Sequence, residues 1–302
     1  MSVMMHAAAG YVRATRRRDF ASAAATARAL QRRKWTARPP ARLRARHDVS
    51  VQTVGGFECW TVAPHDRAAV NAVLYVHGGG YFQQIVAQHW SFIGRLADAG
   101  VRVAVPLYGL APEHDWRQAY PLVTAVYRQL LEDFDAGEIT LAGDSAGGGL
   151  ALGFAQTLLD GPLPQPRRIS LIAPWLDVTM TNPGIADAQR RDPWLTGAGT
   201  RVAGLAWSAG LDPADPRLSP INGRLRGIAP ISIWIGTRDI LYPDALRLRD
   251  RAEAAGADLT LTICDGAIHV YPLVPTPEGR AAAKQIVRQI SAVHRPGARN
   301  DH

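Results

Sequence analysis

Ile139-Thr140-Leu141-Ala142-Gly143-Asp144-Ser145-Ala146-Gly147-Gly148 is the stretch that decides how this chain folds. A short apolar run meets a Gly-x-Ser-x-Gly pentapeptide, and a small-residue apolar segment continues through Leu159. This is the strand–turn–helix setting in which a serine is held on a sharp turn with its hydroxyl above the end of a sheet. Glycine two residues before and two after the serine keeps the neighbouring backbone clear of that strained turn. The helix that follows points unpaired N–H groups back at the serine, ready for a negative charge. Upstream, His77-Gly78-Gly79-Gly80 closes the apolar run Ala72-Val73-Leu74-Tyr75-Val76. That pattern fits a loop supplying further oxyanion donors. The two motifs, in this order and on these elements, point to a serine hydrolase.

Outward from the serine, apolar runs alternate with helical stretches. Strands are predicted over 47–53, 57–63, 70–76, 101–107, 138–142, 169–173, 231–235 and 259–264. Helices are predicted over 89–99, 117–134, from the serine to about 160, and over 242–255 and 277–293. Val54-Gly55-Gly56 between the first two strands is a hairpin signal. The alternation implies βαβ units, hence an α/β fold: a mostly parallel, twisted sheet flanked by helices, with right-handed crossovers. Residues 176–225 break the pattern, with many prolines and glycines, Trp194 and Trp207, and no clear strand. An apolar insertion of that length is expected to do something. With amphipathic helices before Pro39-Pro40 it is expected to cap the strand ends where open α/β sheets hold ligands. Tyr11, Val12, Phe20, Ala23, Ala27 and Leu30 supply the helical spacing there. The division predicted is 1–46 as basic helices of the cap, 47–175 with 226–302 as the core, and 176–225 as the cap insertion.

A serine on such a turn needs a base and a group to orient it, in chain order Ser, Asp or Glu, His. Asp239 follows the strand over 231–235, and His269 follows the one over 259–264. Both strands are expected beside the serine's strand, so that the three side chains converge. His269 would take the Ser145 proton and Asp239 would hold the imidazole. Asp244, five residues on, is the next candidate acid. Asp265 is close to His269 in sequence but awkwardly placed, and Asp144 is expected to brace the turn. His77 and His114 read as structural histidines, and His6, His47, His65, His89, His294 and His302 have no motif around them.

Composition narrows the remaining choices. The 302 residues are 47% hydrophobic and 20% charged, enough for a large buried core. No apolar run nears the ~18 residues that cross a bilayer, and no export signal leads the chain. Cys59 and Cys264 make neither a disulfide framework nor a metal site; both read as buried thiols in a reducing, cytoplasmic setting. The net charge of +8 is uneven: residues 1–46 carry +11 and the remainder −3. A basic run of this kind is first a solvated face and second a contact for an anionic membrane surface. Its arginines form no groove-filling stripe and no aromatic is interleaved with them, so nucleic acid is not expected.

The chain resembles the hormone-sensitive-lipase family of carboxylesterases and lipases, in its bacterial branch, within the α/β-hydrolase superfamily. The resemblance rests on His77–Gly80, Tyr108-Gly109-Leu110-Ala111-Pro112-Glu113-His114, Gly143–Gly148, Ala173-Pro174-Trp175-Leu176-Asp177, Asp212–Pro220, Asp239 and His269. It implies Ser145 as nucleophile, Asp239 as acid and His269 as base. It also implies an oxyanion hole from the backbone N–H groups of Gly78, Gly79 and Ala146. The residues by themselves agree on the triad but do not choose two glycines of the three. Gly109 stands where the family commonly has Arg, Gly149 where Asn is frequent, and Val270-Tyr271 where Gly-Phe is usual. The expected function is hydrolysis of short- to medium-chain esters through an acyl-enzyme, with no metal or organic cofactor. Expected partners are a small-molecule ester and, through the basic segment, a weakly bound anionic membrane; a homodimer is left open. Alternatives are a lipase on longer chains, an amidase on the same machinery, and a binding protein on a hydrolase scaffold.

Overall fold

The computed structural model of the protein describes residues 1–34 and 38–292. The last residue of the helix predicted to 293, His294 and His302 lie outside the described residues. The chain opens with α1 (Val3–Thr15), α2 (Ala23–Leu30) and α3 (Ala41–Arg44), then the hairpin β1 (Asp48–Val54) and β2 (Phe57–Ala63). The alternation follows as predicted: β3 (Asn71–Val76), α4 (Ala87–Asp98), β4 (Val101–Pro106), α5 (Trp116–Asp133), β5 (Ile139–Asp144), α6 (Ser145–Thr157) and β6 (Arg168–Ile172). The insertion holds α7 (Ile185–Arg191) and α8 (Gly197–Ser208). The chain then completes the sheet with β7 (Ile231–Arg238), α9 (Tyr242–Ala255), β8 (Leu259–Ile268) and α10 (Pro277–Ser291).

The eight strands form one sheet in the order β1-β2-β4-β3-β5-β6-β7-β8. Only the pairings β1–β2 and β2–β4 are antiparallel; every other neighbour is parallel. Each residue of β3 and β5 is buried, as central strands covered on both faces require. Their near-continuous apolar sequences follow from that position. Helix ends carry the chemistry their sequences offer. Asp115 caps α5 by accepting from the Arg117 N–H, while Gln118 Oε1 accepts from the Asp115 N–H. Gly256 closes α9 in the left-handed conformation.

Three expectations change. β7 and β8 run further than their apolar cores, to Arg238 and Ile268. Polar Thr237, Asp265 and Gly266 hide the continuation in the sequence, but the pairing with each other continues past a register shift between Gly236 and Arg238. Cys264 is half-exposed, because β8 is an edge strand with one face open, whereas Cys59 is buried. On α1 the packed face is Met5, Ala9 and Val12, and Tyr11 is 63% exposed. Adjacent residues of a helix point about 100° apart, so Tyr11 and Val12 cannot share one stripe. Among the described residues no helix is long and apolar enough to cross a membrane.

The N-terminal segment and the insertion are held together by specific contacts. The Thr196 hydroxyl, which caps α8, donates to the Phe20 carbonyl at 2.5 Å, and the Phe20 ring meets Phe82 at 5.3 Å. Trp207 of α8 is fully buried and stacks on Tyr81, just after the glycine loop, at 4.4 Å with planes 4° apart. Replacing Trp207 with Ala is expected to cost about 3–5 kcal/mol of unfolding free energy, read by chemical denaturation. A loss below about 0.5 kcal/mol, the range of surface changes, would mean that α8 is not held by this stack.

Candidate active site

Ser145 is the first residue of α6, immediately after β5, and its backbone is left-handed with φ 51°. A serine takes that conformation only where the surroundings enforce it. Gly147 shows how: a Cβ there would overlap the carbonyl oxygens of Val76 and His77. The first turn of α6 therefore lies directly against the end of β3, and its free N–H groups face the serine side of the sheet.

Asp239 follows β7 and His269 follows β8, so both leave the same edge of the sheet as Ser145. Neither strand neighbours β5: β6 lies between β5 and β7, and β8 is third from β5. The long ends of β7 and β8 account for the reach. Gly236 lies against the Ala267 carbonyl with no room for a side chain, which draws the two strand ends together. The side chains meet all the same. His269 Nε2 lies 2.9 Å from Ser145 Oγ, and His269 Nδ1 lies 2.8 Å from Asp239 Oδ2. The other Asp239 oxygen, Oδ1, accepts from the Leu241 N–H at 2.9 Å. A carboxylate only accepts, so Nδ1 carries the proton and Nε2 is free to accept from the serine hydroxyl. Burial pulls the imidazole pKa down, but the Asp239 charge and hydrogen bond, backed by Asp192 and Asp144, outweigh it. The net effect holds His269 above its ordinary 6.5.

Asp144 sits under the turn. It accepts from the Tyr75 hydroxyl at 2.7 Å, the Gly78 N–H at 3.0 Å and His89 Nε2 at 3.2 Å. Burial raises its pKa, yet His89 and the other donors together hold it below the usual carboxylate range. The Gly78 contact separates the three glycines of the loop. Gly78 spends its N–H on Asp144, whereas Gly79 and Gly80 border the cavity in front of Ser145. The sequence offers three equivalent glycines, and only the Asp144 bond tells them apart. His77 gives its Nδ1–H to the Gly78 carbonyl at 2.7 Å and stacks on Tyr108. Burial first, and then the neighbouring His89, push its pKa down to about 4, so it stays neutral.

The competing acids are engaged elsewhere. Asp244 is inside α9, accepting from Asn182, with burial pushing its pKa up to about 6. Asp265 accepts from the Thr237 hydroxyl. Three residues that the sequence did not single out for the site belong to it. His89 accepts from the Val86 N–H on Nδ1 and faces Asp144 with Nε2. Trp194 sets its ring edge-on to His269 at 5.5 Å. Asp192 lies buried beside Asp239, whose charge acts on it. No motif marks His89; Asp192-Pro193-Trp194, an acid and an aromatic within a structured insertion, is the one signal that was there to read.

A cavity of about 450 Å³ opens over Ser145 and His269, walled by residues of α1, by Trp194 and Leu195, and by Leu273 and Val274. The departures from the family pattern have local explanations. A side chain at Gly109 would overlap the His114 and Phe57 rings, leaving no space for arginine. Val270 occupies a left-handed conformation, φ 48°, where glycine is at ease, and it also borders the cavity.

A family model described as alpha/beta hydrolase fold matches residues 73–273. An acetyl-hydrolase of Streptomyces hygroscopicus is 35% identical over 238 residues, covering 77% of this chain and 79% of the relative. The structure of EstE5 soaked with p-nitrophenyl butyrate superimposes with a TM-score of 0.82 at 28% identity, covering 96% of this chain and 98% of that one. An esterase of the bacterial hormone-sensitive lipase family gives a TM-score of 0.81 at 25% identity, with coverage of 96% and 98%. The chain belongs to the alpha/beta hydrolase fold family and is a carboxylesterase-like hydrolase akin to the bacterial hormone-sensitive-lipase esterases.

Proposed function

We propose that the chain hydrolyses carboxylic esters of short to medium acyl length, with Ser145 as nucleophile, His269 as base and Asp239 as the acid that orients it. The observation that carries this is the unbroken run of two hydrogen bonds from Ser145 Oγ through His269 to Asp239. His269 Nε2 takes the hydroxyl proton as Oγ attacks the acyl carbon, and the carbonyl π pair moves onto its oxygen. The N–H groups of Gly79, Gly80 and Ala146 receive that oxyanion. Gly78 is left out of the set because its N–H is already given to Asp144. Collapse of the intermediate breaks the bond to the alcohol oxygen, which leaves with the proton held by His269. Water then gives a proton to Nε2 and attacks the acyl-enzyme, and the same steps release the carboxylic acid and restore Ser145.

The acyl-length limit is supported by the bounded, largely apolar cavity of about 450 Å³. Residues 1–46 and 176–225 are the proposed cap over the core of 47–175 and 226–302, because helices and loops of both segments wall that cavity. Both cysteines are free, which fits a reducing compartment. A second reading, lipid esters met at an anionic surface, is favoured by α1. That helix exposes Val3, Met4, Ala7, Tyr11 and Ala14, and the neighbouring Arg13, Arg16 and Arg18 are exposed as well. Flotation with phosphatidylglycerol vesicles tests it. Binding that Val3→Asp weakens supports the second reading, and no flotation removes it.

Two measurements test the main reading. With a p-nitrophenyl ester series from acetate to palmitate, activity should peak at short chains and Ser145→Ala should lower kcat by more than about 10³-fold. A maximum at palmitate would favour a lipase, and no ester activity above that of the variant would sink the proposal. In kcat/KM against pH, the acid limb reports the free base, which must be neutral to accept the proton. With His269 held above 6.5, activity should be lost as pH falls through a midpoint above 6.5. A midpoint below 6.5 would mean that Asp239 does not hold the imidazole above its ordinary value. The stability linkage has the opposite sense. The charged imidazole stabilises the fold fully below 6.5 and ceases to do so as pH rises through the higher folded value.

A further inference from the structure

We propose that Asp192 is a positioning residue of this site: it clamps the loop carrying Asp239 to the wall segment Trp194–Leu195 and sets a second negative charge beside His269. The inference rests on the triad assignment above and adds a member that no motif contains. Asp192 is 3% exposed and stands at the C-terminal end of α7, in the insertion. Its Oδ1 accepts from the Trp194 N–H at 2.6 Å and the Leu195 N–H at 2.9 Å. Its Oδ2 accepts from the Ile240 N–H at 2.8 Å. The next N–H along, that of Leu241, goes to Asp239. Two successive backbone donors thus hold two carboxylates, one from the insertion and one from the core. A single side chain joins a wall of the cavity to the loop that orients the base. The N-terminal segment is tied to the same point, because Arg17 donates to the Asp192 carbonyl at 2.8 Å.

The clamp calls for a carboxylate, since Oδ1 accepts on one side and Oδ2 on the other, whereas an amide or hydroxyl has a single acceptor oxygen. Burying it next to the Asp239 carboxylate costs stability, which the backbone donors and the positive charge of His269, when it forms, offset. Burial, followed by the Asp239 charge, pushes the Asp192 pKa up to about 6, while the Trp194 and Leu195 N–H groups and His269 oppose that rise. Above that value the ionised group acts electrostatically on the imidazole that must become positive during catalysis. The charged groups around it are Asp239 and His269 of the core and Arg17 on its own carbonyl, while Asp144 acts on His269 from under the serine. Arg191 precedes it, and the Arg191 carbonyl accepts from Arg238. Asp192 is therefore expected to stabilise the imidazolium and, through the Ile240 bond, to hold the acid loop in register.

The test is Asp192→Asn, which keeps the volume, removes the charge and turns an N–H donor toward Ile240. If that variant does not fold, Asp192→Ser is used, a small capping residue that still accepts from Trp194 or Leu195. The expected result has two parts. The acid limb of kcat/KM moves to lower pH by roughly one unit, because a charge near the imidazolium is gone. The plateau falls by roughly 10- to 100-fold as the acid loop loosens. A merely structural residue would lower activity at every pH and leave the limb where it is. A fixed limb overturns the charge role, and an unchanged plateau overturns the clamp. The pH dependence of fluorophosphonate labelling of Ser145 gives the same limb without an ester substrate. Should the ester reading fail in the wild type, labelling still decides for or against Asp192.

Discussion

The left-handed backbone of Ser145 is the constraint on which the site depends. A serine at φ 51° is unfavourable by itself, on the order of 1–3 kcal/mol. It persists because the elements around it leave no alternative. Gly147 lets the first turn of α6 settle on the carbonyls ending β3, and the Asp144 carboxylate ties β3, the glycine loop and α4 to the same turn through Tyr75, Gly78 and His89. The sheet supplies the stiffness, with β3 and β5 paired in parallel along their lengths. Local strain and global packing are thus two descriptions of one arrangement.

Charge is distributed around this turn with a consistent sense. Three buried carboxylates, Asp144, Asp192 and Asp239, surround His269 from different elements, and each is supplied with donors before it meets the histidine. Water does not have to solvate them, because backbone N–H groups, a tyrosine hydroxyl and a second histidine do so instead. Fixed dipoles of this kind need no reorganisation when charge develops, which is the condition for effective electrostatic stabilisation. His77, buried and neutral beside the glycine loop, takes no part in that field and serves as a packed ring against Tyr108.

The parts of this arrangement that the sequence discloses are those where chain neighbours determine one another. The serine turn, the glycine loop and the apolar strands are local patterns, and so are the acid and the histidine just beyond two strands. What it hides depends on residues far apart. Three glycines in a row look alike until Asp144, 66 residues later, takes the N–H of the first. His89 has no motif because its partner arrives from β5. The ends of β7 and β8 are disguised by Thr237, Asp265 and Gly266, which a strand tolerates when its neighbour supplies the pairing. Asp192, within Asp192-Pro193-Trp194 of an irregular insertion, has no visible partner until Ile240 is beside it. The order of the sheet is hidden as well: nothing in the run of strands says that the histidine's strand lies third from the serine's.

The docking of α1 has a consequence for how the protein is made. Ser2 gives its backbone N–H and its hydroxyl to the two carboxylate oxygens of Glu278, at the start of α10. Residues of α1 also wall the cavity above the serine. Because α1 precedes α10 in the chain, it cannot take its place until α10 has been made. During synthesis the serine turn can form on a growing sheet while its pocket still lacks a side. The wall that α1 supplies thus closes after the sheet beneath it is complete, and the serine turn is assembled before the cavity above it.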